Sequence, residues 1–294
     1  MVYNEAWFLP HFLNHYRSLG ISHFVFLDDD STDGTRDILL AQEDCTLIVF
    51  EAERSPVRHA MSLQTHLINA AAEKFGSGAW SVTVDADEFL ILPEAFSTVD
   101  DVVRYLEARN LSCALAAMID FYPERLSSRF YDPLPPLVGS QWFDSQPPFV
   151  RPLNRKSPVT TGKGVRPRLL EMMVKRHPQA YRQLYGKVDY RFARSWKVPL
   201  LKSGPGVERI NPHMVNVQPP FGIQLGLAHF KFYPGLDGRI ADALERRAHY
   251  LGAIEYEFLK AVVEHFADER LICRQSRQYR TPRDLHLPGL IWVK

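Results

Sequence analysis

Three carboxylates, Asp85, Asp87 and Glu88, follow directly after a short apolar run at residues 80–84. An apolar run of this length predicts a buried strand, and open α/β sheets bind ligands at the carboxyl ends of their strands. Two carboxylates placed two residues apart repel each other, and a divalent cation with oxygen ligands removes this repulsion. The same cation can bridge to a diphosphate. The pattern therefore indicates a strand followed by a metal and nucleotide site, although Asp is also common in solvated turns.

Composition and charge exclude several classes of protein. Of the 294 residues, 46% are hydrophobic and 23% are charged, as in soluble globular chains. The net charge of +1 gives no electrostatic basis for binding nucleic acid or a membrane surface. No apolar run approaches the ~20 residues needed to span a bilayer, and the N-terminus lacks the pattern of a signal peptide. We therefore expect a cytoplasmic protein without a transmembrane segment.

The three cysteines, Cys45, Cys113 and Cys273, are odd in number and widely separated along the chain. Cys45 and Cys113 lie in or beside apolar runs. We therefore expect buried free thiols in a reducing compartment, and neither a disulfide framework nor a zinc site.

The first half of the chain alternates patterns typical of helices and strands. Asn4 is the expected cap of a first helix that Gly20 ends. The apolar face of this helix consists of Leu9, Phe12, Leu13, Tyr16 and Leu19. Further helices are expected at residues 58–75 and 98–109, and strands at residues 21–27, 46–50, 80–84 and 113–119. Strands with such long connections pair in parallel through right-handed crossovers, so we predict an α/β fold with a mostly parallel central sheet flanked by helices.

The rest of the chain is less regular. Residues 131–167 are rich in proline and carry no lasting periodicity, which predicts a long insertion that its aromatic residues order in part. A strand-like run spans residues 228–233, and amphipathic helices are expected at residues 236–250 and 254–266. A parallel sheet of this kind would open with a strand before Asn4, so we expect its first strand to be incomplete in this sequence.

Several motifs occur in an order that resembles a known family. They are Asn4-Glu5, the run at residues 20–26, the polar loop at residues 28–35, and Asp85-Ala86-Asp87-Glu88-Phe89. Together they resemble a family 2 type glycosyltransferase with the GT-A fold, in particular the bacterial "glycosyl transferase family 2, subgroup 4" domains. The resemblance continues through residues 118–123, 164–166, 197–200 and 229–232, and so covers nearly the whole chain.

The resemblance implies a GT-A type, Rossmann-like fold and a division of the chain into three regions. Residues 1–130 are expected to form the nucleotide-sugar-binding part of a single GT-A domain. Residues 131–235 are expected to form an acceptor-side region that includes the Pro-rich loop. Residues 236–294 are expected to form a helical C-terminal extension.

The resemblance also implies the nucleotide contacts. Either Asp28 or Asp29 would bond the base, which is expected to be uracil, and three consecutive Asp residues leave the register open. Asn4 and Glu5 would flank the base or the ribose. Asp85 would contact the ribose or a metal-bound water.

A divalent cation, Mn²⁺ or Mg²⁺, is implied beside the diphosphate. Asp85 and Asp87 would bind it, and Glu88 would either hold one of these ligands in place or form a salt bridge with a nearby helix. His229 is the expected third ligand, with His213 as the alternative. A histidine in an aromatic run such as residues 228–233 is also often a hydrogen-bonded core residue.

Basic and acidic groups later in the chain complete the implied site. Arg166 and Lys231, with Arg168 as a further candidate, would neutralise the leaving diphosphate, unless they are ordinary surface charges. Asp120 is the expected base that deprotonates the acceptor, with Glu124 as the alternative, and such a base would give inversion at the anomeric carbon.

The implied reaction is metal-dependent transfer of a sugar from a nucleotide sugar, UDP-linked in the first instance, to an acceptor hydroxyl in polysaccharide biosynthesis. The implied partners are that donor and a glycan or a lipid-linked acceptor, and the latter would bring the protein into peripheral contact with a membrane. A nucleotidyltransferase is one alternative, although its usual Gly-rich basic loop is absent from the sequence. A non-catalytic carbohydrate- or nucleotide-binding relative is the other, although the acidic motif is retained.

Overall fold

The computed structural model describes residues 1–49, 61–76, 78–130, 134–153, 155, 157–184, 194–246 and 250–294. Parts of four predicted features therefore fall wholly or partly outside the described residues. They are the beginning of the helix at 58–75, the end of the strand at 46–50, residues 131–133 of the Pro-rich segment and the end of the helix at 236–250. Within these ranges the protein combines ten α-helices with fourteen strands, which confirms the predicted mixed α/β class.

The helices are α1 (Leu9–Ser18), α2 (Thr35–Leu40), α3 (Met61–Gly76), α4 (Val99–Glu107), α5 (Pro136–Gly139), α6 (Val165–Arg176), α7 (Pro178–Leu184), α8 (Leu236–Arg246), α9 (Tyr250–Phe266) and α10 (Arg283–His286). The strands are β1 (Phe24–Asp28), β2 (Cys45–Val49), β3 (Trp80–Val82), β4 (Glu88–Ile91), β5 (Cys113–Tyr122), β6 (Trp142–Asp144), β7 (Phe149–Val150), β8 (Val159–Thr160), β9 (Trp196–Lys202), β10 (Arg209–Asn211), β11 (Met214–Val215), β12 (Ile223–His229), β13 (Ser276–Gln278) and β14 (Trp292–Val293). None of the described helices is both long and apolar enough to cross a membrane.

The chain divides into two compact units, and both are discontinuous in sequence. Unit 1 consists of residues 1–116, 196–227 and 291–294, and unit 2 consists of residues 117–195 and 228–290. Each of the three predicted regions, 1–130, 131–235 and 236–294, therefore contributes residues to both units.

The strand pairing corrects the prediction of a mostly parallel central sheet. Parallel pairing is described for β1 with β2, and for the single bridge between Val2 and Asp28. The main sheet is mostly antiparallel: in unit 1, β3 pairs with β9 and β12 pairs with β14, and in unit 2, β6 pairs with β5 and β13. The prediction assumed that consecutive strands are neighbours, whereas the partner of Trp80 in β3 is Lys202, far along the chain.

The segment before α1 differs from its prediction. The predicted buried face is confirmed for Leu9, Phe12, Leu13 and Tyr16. However, α1 begins only at Leu9, and Asn4 does not cap it. Asn4 instead has a positive φ of 52°, and its side-chain oxygen accepts a hydrogen bond from the Thr32 backbone N–H at 2.8 Å. A partner distant in sequence has therefore replaced the local capping interaction.

The Pro-rich segment is built into unit 2. It contains α5, β6, β7 and β8, and Phe143 of β6 is paired with Phe121 on one side and with Arg277 on the other. The core of unit 2 is formed by apolar side chains of α6, α8 and α9, among them Val165, Leu169, Met173, Leu236, Ile240, Phe258, Leu259 and Phe266. The described part of the segment thus forms regular elements, and its aromatic residue Phe143 pairs within a sheet.

The three cysteines are free thiols, as predicted. Cys113 is buried, whereas Cys45 and Cys273 are only partly buried. The expectation of buried thiols therefore holds fully for Cys113 alone.

Candidate functional site

The acidic motif forms a tight turn between β3 and β4. The strand ends at Val82, earlier than predicted, and Glu88 is the first residue of β4. The Glu88 N–H donates to the Asp85 carbonyl at 3.1 Å, and the Asp85 N–H donates to the Glu88 carboxylate at 2.9 Å. Asp85 and Asp87 therefore lie in a turn that two reciprocal hydrogen bonds close. Such a turn fixes the backbone from which both aspartates project.

A buried lysine, Lys197 of β9, neutralises part of this turn. Its Nζ donates to Glu88 Oε2 at 2.6 Å and to Asp85 Oδ2 at 3.2 Å. The side chains of Lys197 and Glu88 are each 1% exposed, whereas that of Asp85 is 47% exposed. Burial lowers the pKa of Lys197, but the two carboxylates outweigh it and the pKa is raised, so the ammonium stays charged. The ion-pair partner of Glu88 is thus a residue of a strand. Of the two carboxylates that Lys197 contacts, that of Asp85 is the more exposed.

Tyr16 of α1 holds the start of β4 from the other side. Its buried hydroxyl donates to the Glu88 carbonyl at 2.9 Å and accepts from the Leu90 N–H at 3.1 Å. Burial and the nearby Glu88 carboxylate raise the pKa of Tyr16 well above its usual value, so the hydroxyl keeps its proton. The position of Glu88 is therefore fixed by both its side chain and its backbone.

The predicted nucleotide residues at the start of unit 1 are brought together. The Asn4 N–H donates to Ser31 Oγ at 3.0 Å, and the Glu5 N–H donates to Thr35 Oγ1 at 2.8 Å. Both hydrogen bonds tie the segment after Val2 to the polar loop at residues 28–35. Asn4 and Glu5 are therefore held against this loop, while their contacts with a base or ribose stay a prediction.

The two candidate acids of the polar loop differ in their surroundings. Asp28 is fully buried, and its Oδ2 accepts from Arg36 Nε at 2.5 Å. The Ser31 N–H lies 3.3 Å from both carboxylate oxygens of Asp28. Asp29 is also buried, and its backbone N–H donates to the Val2 carbonyl at 2.8 Å. The carboxylate of Asp28 is therefore held in an ion pair with Arg36, and the choice between Asp28 and Asp29 as the acid that bonds a base stays a prediction.

Unit 2 contains a second charged cluster around Asp120. One carboxylate oxygen of Asp120 accepts from Arg166 Nε at 2.8 Å, and the other lies 2.7 Å from His229 Nδ1. Arg166 Nη1 also donates to Glu255 Oε1 at 2.6 Å. The side chains of Asp120, Arg166 and His229 are 11%, 13% and 5% exposed, so this cluster is largely removed from water.

Charges in the cluster keep its acids ionised. Burial alone would raise the pKa of Asp120, but Arg166 and His229 outweigh burial and hold that pKa well below its usual range. Burial would likewise raise the pKa of Glu255, and Lys231 and Arg166 together lower it. A carboxylate with a lowered pKa is a weak proton acceptor at neutral pH, so Asp120 in this arrangement is not poised as a strong base.

The predicted residues His229 and Lys231 lie at and just after the end of β12. The strand ends at His229, earlier than the predicted run at 228–233. Phe230 and Phe232, which follow the end of the strand, are buried. His229, however, is itself buried against Asp120, whereas Lys231 is only partly buried. Whether His229 binds a metal stays a prediction.

A pocket in unit 2 lies beside this cluster. Asp120 and Arg166 line it together with Lys163 and Arg194 and with Gly164, the N-cap residue of α6. Gly164 has a φ of +119°, in a region that side chains disfavour, and a Cβ there would meet nothing within 4 Å. Charged side chains therefore line this pocket.

The remaining candidates have partners that account for them. His213 Nδ1 lies 3.1 Å from the Trp196 carbonyl. Arg168 donates to the buried Asp144, which also accepts from the Tyr122 hydroxyl. Glu124 pairs with Arg270 at 2.9 Å, and both side chains are at least half exposed. These contacts fit structural roles for His213 and Arg168 and a solvated ion pair for Glu124.

Sequence reasoning gave no role to Lys197 or Glu255. The sequence does carry a signal for Lys197, which stands in the apolar run at residues 196–201. A lysine in such a run indicates a buried ion pair, because lysine is almost never fully buried without an acidic partner. Glu255 lies on α9 and has no comparable signal, because its partner Arg166 comes from α6.

The predicted metal ligands belong to different units. Asp85 and Asp87 belong to unit 1, whereas His229 belongs to unit 2. Over the part of the chain that the structure describes, no group of three or more His, Cys, Asp or Glu side chains is arranged to hold a metal ion. The metal site therefore stays a prediction.

No family model, curated protein or solved structure matches this chain. Function must therefore be inferred from the chain's own residues and their geometry.

Proposed function

We propose that this chain is a glycosyltransferase that moves a sugar from a nucleotide sugar, with a UDP-linked donor as the first candidate, to an acceptor hydroxyl. The observation that carries the proposal is the turn at Asp85–Glu88, where a half-exposed aspartate is bound to a buried Glu88–Lys197 pair. Burying an ion pair is costly, and an apolar pair would often stabilise a fold as well. An ion pair that also holds an exposed acid therefore favours a binding role for that acid.

The residues of the turn fit a hard divalent cation such as Mn²⁺ or Mg²⁺. Carboxylate oxygens are the ligands that these ions prefer, and Asp85, Asp87 and Glu88 place three carboxylates in this turn, two of which bond to the Lys197 ammonium. Asp85 and Asp87 would hold the ion, which would supply electrostatic stabilisation of the departing diphosphate. Asn4, Glu5 and either Asp28 or Asp29 of the same unit would bind the nucleoside.

Unit 2 supplies the proposed acceptor chemistry and cationic groups. Arg166 and Lys231 are the proposed cationic groups, and Asp120 is the proposed base, which would deprotonate the acceptor with inversion at the anomeric carbon. Each carboxylate oxygen of Asp120 accepts from one partner, Arg166 or His229, and keeps a further lone pair for the acceptor hydroxyl. The lowered pKa of Asp120 makes uptake of that proton less favourable.

UDP is expected to bind in the presence of Mn²⁺ and at least about tenfold more weakly in EDTA, because the acidic turn repels a diphosphate without a cation. Calorimetric titration of the full chain under both conditions measures this. Equal affinities would remove the metal from the proposal.

A screen of nucleotide sugars for release of free sugar and nucleoside diphosphate then identifies the donor. Release of pyrophosphate from a nucleoside triphosphate and a sugar phosphate would instead favour a nucleotidyltransferase.

The His229→Ala variant is expected to bind UDP with Mn²⁺ about tenfold more weakly and to remain folded, if His229 is a ligand of the cation. The same titration, combined with a thermal melt, separates this role from a structural one. Unchanged metal dependence with a lower melting temperature would mean that His229 serves only as the partner of Asp120. His23→Ala, which alters an exposed histidine of unit 1, is the control and should change neither quantity.

A further inference from the structure

We propose that Lys197 is a positioning residue: it orients the Asp85 carboxylate and thereby sets the affinity of the acidic turn for a cation and a nucleotide diphosphate. This inference rests on the proposed function and assigns a role to a residue that would touch neither ligand. Lys197 is 1% exposed, so its ammonium is shielded from solvent.

The hydrogen bonds restrict Asp85 in three ways. Its N–H donates to Glu88 Oε2 at 2.9 Å, its carbonyl accepts from the Glu88 N–H at 3.1 Å, and its Oδ2 accepts from Lys197 Nζ at 3.2 Å. The first two fix the backbone, and the third restrains the side chain. Loss of that contact would let this half-exposed side chain sample more rotamers, and ordering it on binding would weaken the affinity.

The strand that carries Lys197 is itself firmly held. The buried Arg209 donates from Nη1 to the Val198 carbonyl at 2.7 Å and from Nη2 to the Pro199 carbonyl at 2.8 Å. These two carbonyls immediately follow Lys197 in β9. The Lys197 backbone is therefore bound close to the point from which its side chain reaches the turn, as a residue with a positioning role requires.

Two effects of Lys197 on a bound cation oppose each other, and the experiment must separate them. Its charge repels a cation, whereas its contact with Asp85 orders a ligand of that cation. Glu88 attracts a cation and lies 2.6 Å from the Lys197 ammonium. Replacing both residues by neutral ones therefore leaves the local net charge unchanged and removes the Lys197 contact that orders Asp85.

The Lys197→Met/Glu88→Gln double variant is expected to bind Mn²⁺ and UDP about tenfold more weakly than the wild type, with a similar thermal midpoint. Glutamine can still accept the Asp85 N–H, so the backbone of the turn is kept. Calorimetric titration of UDP with Mn²⁺, and paramagnetic resonance of free Mn²⁺, measure affinity without any assay of transfer. Lys202→Met is the control, because Lys202 lies on the same strand and pairs with Glu107 at the surface, and its affinity should not change.

Wild-type affinity in the double variant would overturn the inference and leave the proposed function intact. Absence of Mn²⁺-dependent UDP binding in the wild type would overturn both. If the double variant does not fold, Lys197→Gln/Glu88→Gln offers the same charge balance with two amides that can bond to each other. The same tenfold loss is expected there, and wild-type affinity in that variant would equally overturn the inference.

Discussion

The Asp87→Ala variant is expected to lose sugar transfer by at least about a hundredfold while keeping a thermal midpoint that is unchanged or raised. Asp87 lies in the turn between β3 and β4, next to Asp85 and Glu88, so its removal takes away one of three mutually repelling carboxylates. The loss should appear in Mn²⁺-dependent UDP binding as well as in transfer, because the proposed role of Asp87 is to hold the cation.

The matched control for this variant is Asp100→Ala. Asp100 is an exposed acid of the same unit that pairs with Arg104 on α4, and its loss should leave both UDP binding and transfer unchanged. An Asp87→Ala variant that kept more than half of the wild-type transfer rate would remove Asp87 from the site. A large fall in melting temperature would instead indicate that Asp87 stabilises the turn itself.

Signals that act within a few residues allowed correct predictions. The helix expected at 98–109 is α4, and its start is confirmed because Thr98 and Asp101 form a reciprocal capping box. The helix face of α1 was predicted equally well from its spacing. Asn4 has the same capping chemistry as Thr98, but it is engaged by the loop at residues 28–35, and its predicted role as a cap was wrong.

Interactions between distant segments account for most of what the sequence did not predict. The position of the acidic turn after a strand was expected, yet the burial of Glu88 was not, because its partner Lys197 lies 109 residues away. Asp120 and His229 were selected separately, as a base and as a metal ligand, and their direct contact also joins residues 109 positions apart. Local periodicity carries no information on such pairs, just as it carried none on the antiparallel partners of β3 and β5.

The Arg166→Met variant is expected to lose about 3–5 kcal/mol of unfolding free energy, because the largely buried Asp120 carboxylate loses its guanidinium partner. Glu255, whose side chain is 34% exposed, loses the same partner and contributes less to the loss. Arg166 bonds Asp120 and Glu255, and all the distances are those of strong ion pairs. Urea denaturation measures the loss. Arg176→Met is the control on the same helix, since Arg176 pairs with Glu269 at an exposed position and its removal should cost about 0–1 kcal/mol.

The pH dependence of this loss tests its cause. In the wild type the lowered pKa of Asp120 contributes stability that is present above its unfolded pKa of about 4 and is lost as the pH falls further. Without Arg166, burial raises the pKa of Asp120. The free energy of unfolding of the variant is therefore lowered at neutral pH, and part of it is recovered as Asp120 takes up a proton. The difference between wild type and variant should therefore shrink between about pH 7 and pH 4. A difference that stayed constant over this range would mean that Arg166 stabilises unit 2 through packing, and the additional change Asp120→Asn would then recover none of the lost stability.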